Sequence, residues 1–252
     1  MDADDEPLQL PSDTLQLLQQ FQSEKEAHTQ RFQALQSRSE AAFEKDDNDN
    51  GSLENTPLSM DLFTEDWNAS QFWYTDSTAR ILAQQLLSNI PSDNDHAIAI
   101  VSAPSIYIAL HNLLLEAKST TPKPTVRLLE FDTRFQVLGK DYVPYDYQNP
   151  LRLPAELKGK FSHIVCDPPF LSEDCQTKTA LTVRWLARSW RQPSDDSVRF
   201  IACTGERMEE TVLKLYGPLG TKTTTFEPEH SKGLSNEFRC YANFECDEWK
   251  WR

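Results

Sequence analysis

Ser162-His163-Ile164-Val165-Cys166-Asp167-Pro168-Pro169-Phe170 decides how the rest of the chain is read. The apolar run suits a short buried strand, and Pro-Pro, with no N–H to offer a ladder, ends it. An acid closes the strand at its carboxyl end. Open α/β sheets bind their ligands there, just outside the strands. Asp167 is therefore a candidate for chemistry, and its surroundings must say which.

On both sides of this stretch strands alternate with helices. Residues 97–101 read as a first strand, and Ser102-Ala103-Pro104-Ser105 turns into a helix reaching about residue 117, with Pro104 suited to the first helical turn. Residues 126–131 form a second strand ending in Glu130-Phe131-Asp132, with a helical segment around 134–139 behind it. A short third strand, 142–145, ends at Asp146, and 161–166 is the fourth. An amphipathic helix is expected over 173–191, a fifth strand over 198–203 and a helix over 206–216. Then the rhythm changes. Residues 221–227 and 237–244 alternate like strands with no helix between them, an antiparallel hairpin with a long loop. The expected fold is α/β and Rossmann-like: a seven-stranded, mostly parallel sheet with a terminal antiparallel pair.

The amino-terminal part is different. Residues 1–11 are acidic, and 12–43 have helical spacing through Leu15, Leu18, Phe21, Phe32 and Leu35. That helix is either a solvated helix lying on the domain or an arm for a partner. Residues 45–57, rich in Asp, Asn, Gly and Ser, read as a linker. The expected division is an extension over 1–58 and one domain over 59–252. A second organised stretch begins at Asp66-Trp67 and runs through Phe72-Trp73-Tyr74 to a helix over 77–87 that Thr75 or Asp76 can cap. Three consecutive aromatics must cover something, either the domain core or a pocket. Residues 91–94 read as a turn.

Charge narrows the partners. The 252 residues carry a net −14; residues 1–60 hold 13 acids against 4 bases, a net of −9, which leaves −5 for the other 192. Such a chain is repelled by phosphate backbones, so a nucleic-acid substrate is disfavoured. Five cysteines with no C-x-x-C spacing argue against a disulfide framework or a metal site and for a reducing compartment. No apolar run approaches the ~20 residues of a membrane span, and no targeting signal is visible.

The candidate residues sit at strand ends. Ser102, Ala103, Pro104 and Ser105 are small enough for close backbone approach, and a helix start offers unpaired N–H groups to a carboxylate; an empty tight turn reads the same way. Glu130 can accept from ribose hydroxyls, with Asp132 on the same face if the strand continues. Asp146 can meet an adenine amino group or simply serve its turn. At the fourth strand, Asp167 accepts one N–H of an amine, and Pro168 and Pro169 leave carbonyl acceptors without competing donors. Two acceptors aim a nitrogen lone pair. Phe170 can stack on a base or cover a lysine. His163, inside an apolar strand, reads as a packed histidine, and His230 is a weak candidate.

Asp167-Pro168-Pro169-Phe170 resembles the tetrapeptide of amino-group methyltransferases, and five parallel strands with a terminal antiparallel pair resemble the seven-stranded arrangement of class I methyltransferases. With Gln71-Phe72-Trp73-Tyr74, Val101-Ser102-Ala103-Pro104-Ser105, Glu130-Phe131-Asp132, Tyr145-Asp146-Tyr147-Gln148-Asn149-Pro150 and Asn236-Glu237-Phe238-Arg239-Cys240-Tyr241, residues 60–245 are similar to the elongation factor 1-alpha lysine methyltransferases, once labelled N6-adenine DNA methyltransferase-like. The resemblance implies S-adenosylmethionine as cofactor, elongation factor 1-alpha as protein substrate and a cytoplasmic location. It assigns Asp167, Pro168, Pro169 and Phe170 to catalysis. Trp73, Tyr74, Ser102 to Ser105, Glu130, Asp132, Asp146 and Asp167 fall to the cofactor, and Phe72, Phe170, Asn236 and Phe238 to the substrate. A base N6-methyltransferase and a non-catalytic scaffold are the competing readings.

Overall fold

The computed structural model describes residues 11–43, 56–65, 71–88, 96–117, 123–191, 198–234 and 237–252. The linker expected at 45–57, Asp66 and Trp67, the turn at 91–94 and Asn236 lie wholly or largely outside them.

One sheet of seven strands organises the chain: β1 (Ala97–Val101), β2 (Thr125–Glu130), β3 (Tyr142–Pro144), β4 (His163–Cys166), β5 (Arg199–Gly205), β6 (Lys222–Thr223) and β7 (Phe238–Ala242). Their spatial order is β3-β2-β1-β4-β5-β7-β6. Strands β1 to β5 are parallel; β7 runs antiparallel between β5 and β6. The chain lays strands outward from β1 to β3, then restarts on the other side of β1 with β4. A crevice opens at the carboxyl ends where that order reverses.

Helices cover both faces, so the inner strands are mostly apolar, and β1 is so throughout. Alternation along β1 sends Ile98 and Ile100 into the core beneath α2 (Asp76–Leu87) and α3 (Pro104–Glu116), with Leu82, Ile106 and Leu110. Ala99 and Val101 join the opposite core, built with Val183 and Leu186 of α4 (Glu173–Leu186) and with Phe200 and Tyr216, the latter on α5 (Glu209–Tyr216). The long α1 (Ser12–Phe43) is divided in its surroundings. Near its carboxyl end Phe32 meets Phe63 edge-on at 5.9 Å, Leu35 is buried, and Ser39 Oγ donates to Val137 O at 2.8 Å. Near its amino end Leu15, Leu17, Leu18 and Phe21 are exposed.

Several elements depart from the sequence-based limits. β5 continues to Gly205, because β7 pairs with it as far as Gly205↔Phe238. The helix expected to reach residue 191 ends at Leu186; Ala187 turns extended and bridges Phe161. The hairpin arm expected over 221–227 is regular only over the two residues of β6; beyond it Thr224 bridges Trp251 while its N–H still donates to Cys240 O on β7. The segment after β2 is a 3-10 helix, Thr133–Asp141, broken at Gly139.

Candidate functional site

A cleft of about 780 Å³ lies over the carboxyl ends of β1, β2 and β4. Its floor starts at Ser102. This residue has φ 55°, the one non-glycine with positive φ among the described residues. A Cβ resists that conformation, which is why a glycine is usual at such a turn. The Ser102 N–H donates to Leu129 O at 2.9 Å, locking the turn onto β2. Ala103 then opens α3 with no side-chain cap and Pro104 in the first turn. Ser105 Oγ accepts the Tyr74 N–H at 3.3 Å, tying a distant segment to the floor.

Glu130 ends β2 and borders the cleft, nearly buried. Its Oε1 accepts the N–H groups of Phe131 (2.9 Å) and Asp132 (3.1 Å). Among the described residues Oε2 accepts nothing. Burial pushes the carboxyl up to about 7, and the neighbouring Asp132 charge helps. Asp132 does not share the face with Glu130, because the strand stops before it. It caps the following 3-10 helix and forms an ion pair with Arg134 at 2.6 Å, and Gln71 Nε2 donates to it at 3.0 Å. Partial burial opposes its charge, but these bonds outweigh it and hold the carboxyl below its ordinary range. It is not among the residues lining the cleft. Asp146 does line it, and its two oxygens accept from the Gln148 N–H (2.9 Å) and Asn149 Nδ2 (2.8 Å), so the turn role is filled as well.

Asp167 follows β4. Its N–H donates to Val101 O at 3.0 Å, extending the β1–β4 ladder by one residue. Its Oδ2 accepts the Tyr74 hydroxyl at 2.6 Å. Burial raises the carboxyl to about 7; the Tyr74 bond opposes this, and Glu130 adds to it. Pro168 is buried, Pro169 half-buried and Phe170 exposed, its ring 5.6 Å from that of Tyr147.

Trp73 is buried with its indole N–H donated to Phe63 O at 2.7 Å and its ring edge-on to Phe135, so the indole is also tied to the core. Phe72, Trp73 and Tyr74 all border the cleft. Across from Tyr74, His230 lies with its ring 4.7 Å from Tyr74 and 4.5 Å from Phe238. Burial lowers its pKa to about 4, so it is neutral at pH 7. His163 is packed, as expected, against Ser162 Oγ at 3.0 Å. Leu171 and Arg207 also line the cleft, and the sequence reading passed over both. Arg207 donates to Leu171 O at 3.0 Å, and Gly205 admits Leu171, whose Cδ1 would lie 2.8 Å from an added Cβ. The signal was present: Arg207 stands two residues past the end of β5, where ligands gather.

The family model described as probable N6-adenine methyltransferase matches residues 65–246. The protein-lysine N-methyltransferase EFM5 of Saccharomyces cerevisiae is 45% identical over 253 aligned residues, covering 96% of this chain and 94% of that protein. EEF1A lysine methyltransferase 1 of Homo sapiens is 38% identical over 193 residues, 76% of this chain and 81% of that protein. The Danio rerio protein of the same name is 43% identical over 178 residues, 70% of this chain and 96% of that protein. With the strand order and the Asp167-Pro168-Pro169-Phe170 corner in place, the chain belongs to this probable N6-adenine methyltransferase family, whose members include EFM5 and EEF1A lysine methyltransferase 1.

Proposed function

We propose that the chain transfers a methyl group from S-adenosylmethionine to a lysine side chain of translation elongation factor 1-alpha. The observation that carries the chemistry is the Asp167 carboxylate, held by Tyr74 at a proline corner inside the cleft. The lysine-directed names of the relatives carry the substrate.

The cleft fits the cofactor on its own terms. The positive φ of Ser102 turns the main chain sharply at the floor, α3 starts there without a side-chain cap, and Glu130 keeps one oxygen outside its own hydrogen bonds. Residues 102–105 would hold the amino-acid part, Glu130 the ribose, Asp146 the adenine and Tyr74 the wall between cofactor and substrate. Trp73 borders the same cleft, and Asp132 acts from behind it through Arg134 and Gln71. Bound there, S-adenosylmethionine supplies an electrophilic methyl group on a sulfonium centre.

The chain's own task is to present a neutral amine in line. Lysine is ordinarily protonated, with a pKa of ~10.4. Ionised Asp167 attracts the ammonium, and the cation in turn lowers the Asp167 pKa from its raised value. Phe170, Phe72 and Phe238 strip water from the side chain, which favours release of one ammonium proton to the solvent as the amine docks. Asp167 and the Pro168 carbonyl region then accept the remaining N–H bonds and fix the lone pair. Phe170 and Tyr147 flank the approach.

No helix among the described residues is long and apolar enough to cross a membrane; a cytoplasmic location follows from the substrate. The domain runs over 59–252, with 1–58 as an extension to it. The test is methyl transfer from labelled cofactor to purified elongation factor 1-alpha and to DNA and RNA in parallel, with peptide mass spectrometry of the protein. Label on a lysine is expected; label in nucleic acid alone would overturn the reading in favour of adenine. Absence of cofactor binding would favour a scaffold.

A further inference from the structure

We infer that Glu65 is a positioning residue that couples the cofactor-facing wall of the cleft to the loop at its substrate end, an inference that rests on the methyltransferase reading. Its side chain is 2% exposed, although it belongs to an irregular segment. Oε1 accepts the Trp73 N–H at 2.9 Å and the Ser231 hydroxyl at 3.1 Å. Oε2 pairs with Lys232 Nζ at 3.1 Å. One carboxylate thus binds donors from two segments of the chain.

Those two segments form the top of the cleft. Thr75 N–H donates to Glu229 O at 2.9 Å and Ser231 N–H to Trp73 O at 2.8 Å, with Tyr74 and His230 as the bridged pair between. On one side of this ribbon, Tyr74 holds Asp167. On the other, the His230 ring packs on Phe238, and Leu234 borders the cleft. Two backbone bonds do not make a self-sufficient sheet; small ladders need packing or further ties to persist. Charge-assisted bonds to a shielded carboxylate are the stronger kind. Glu65 supplies that tie, so any ligand that orders residues 71–75 also orders residues 229–234. Binding at either end then assists binding at the other by the same factor.

Hydrogen–deuterium exchange of the 229–234 amides, with and without S-adenosylmethionine, tests this in the full chain without needing turnover. The wild-type loop is expected to exchange more slowly when the cofactor is present. Glu65→Ala removes the ties to Trp73, Ser231 and Lys232 and should abolish the slowing. Ser231→Ala removes one tie at an exposed position where folding is not at risk, and should reduce it. In kinetics, Glu65→Ala should raise KM for the protein substrate by at least about tenfold, since one charge-assisted bond alone is worth that much, with a much smaller change in cofactor Kd. Equal slowing in wild type and both variants, or none in wild type that binds cofactor, would overturn the coupling alone. Failure of wild type to bind cofactor, seen by calorimetry, would overturn the methyltransferase reading and the coupling with it.

Discussion

The Tyr74 hydroxyl donates to Asp167 Oδ2 at 2.6 Å, joining residues 93 apart in sequence. Tyr74 arrives from the segment ahead of α2, and its main chain is pinned by Ser105 and by the bridge to His230. The bond therefore occupies Oδ2 and leaves Oδ1 as the oxygen that the proposed reading gives to a substrate amine. It also opposes the burial that raises the Asp167 pKa.

Tyr74→Phe removes that bond while keeping the ring. Turnover should fall about 10–100-fold, the value of one hydrogen bond to a charged group. Without the hydroxyl the Asp167 pKa rises further, so the acidic limb of the pH–rate profile should move to higher pH. A profile that scales down without shifting would mean that Tyr74 acts only on packing.

Asp167→Asn tests the buried charge itself. The folded carboxyl titrates near 7, whereas an unfolded one titrates near its ordinary value of about 3.8. Between these limits the folded state holds a proton that the unfolded state has released, so this group's contribution to stability falls as pH rises through 7. Asparagine has no such titration. Urea unfolding of cofactor-free protein should show the variant gaining on wild type from pH 5 to pH 8, by on the order of 2 kcal/mol. Methyl transfer should be lost at every pH. A stability difference that is flat with pH would remove the raised pKa from the account.

Ser102 pays for the turn beneath the cleft with φ 55°. Ser102→Gly should relieve that strain and stabilise the fold by about 0.5–1 kcal/mol, less the chain entropy a glycine adds when unfolded. Ser102→Val, whose branched Cβ tolerates positive φ least, should destabilise it. Thermal unfolding in the absence of cofactor measures both. A glycine variant less stable than wild type would show that the serine side chain contributes more than its backbone costs.

The sheet was legible because its signals are local. Pro168-Pro169 ends a strand by chemistry that no context reverses, and β1 was located to the residue. The lining of the candidate cleft was legible where residues abut strand ends, as with Glu130 and Asp167. Two kinds of information were not local. Asp132 depended on where β2 stops, and the strand ended one residue before the expected limit. The Tyr74–Asp167 and Glu65–Ser231 contacts join parts of the chain with no shared pattern.

Helix α1 provides a test of how firmly the amino-terminal extension is attached. Helices in water owe most of their stability to an apolar face packed on something, not to propensity. Leu35 is buried and near Ser39, whose hydroxyl reaches Val137 O, whereas Leu18 is 44% exposed. Leu35→Ala should cost about 2 kcal/mol, the lower end for truncating a buried leucine, because the neighbours lie at the domain's edge and can close in. Leu18→Ala, away from any packed core, should change stability by less than about 0.5 kcal/mol. Limited proteolysis should also cut Leu35→Ala within residues 12–43 faster than wild type, with the remaining domain intact. Equal stability and cleavage rates in the two variants would mean that the packing of Phe32 and Leu35 does not hold the helix in solution.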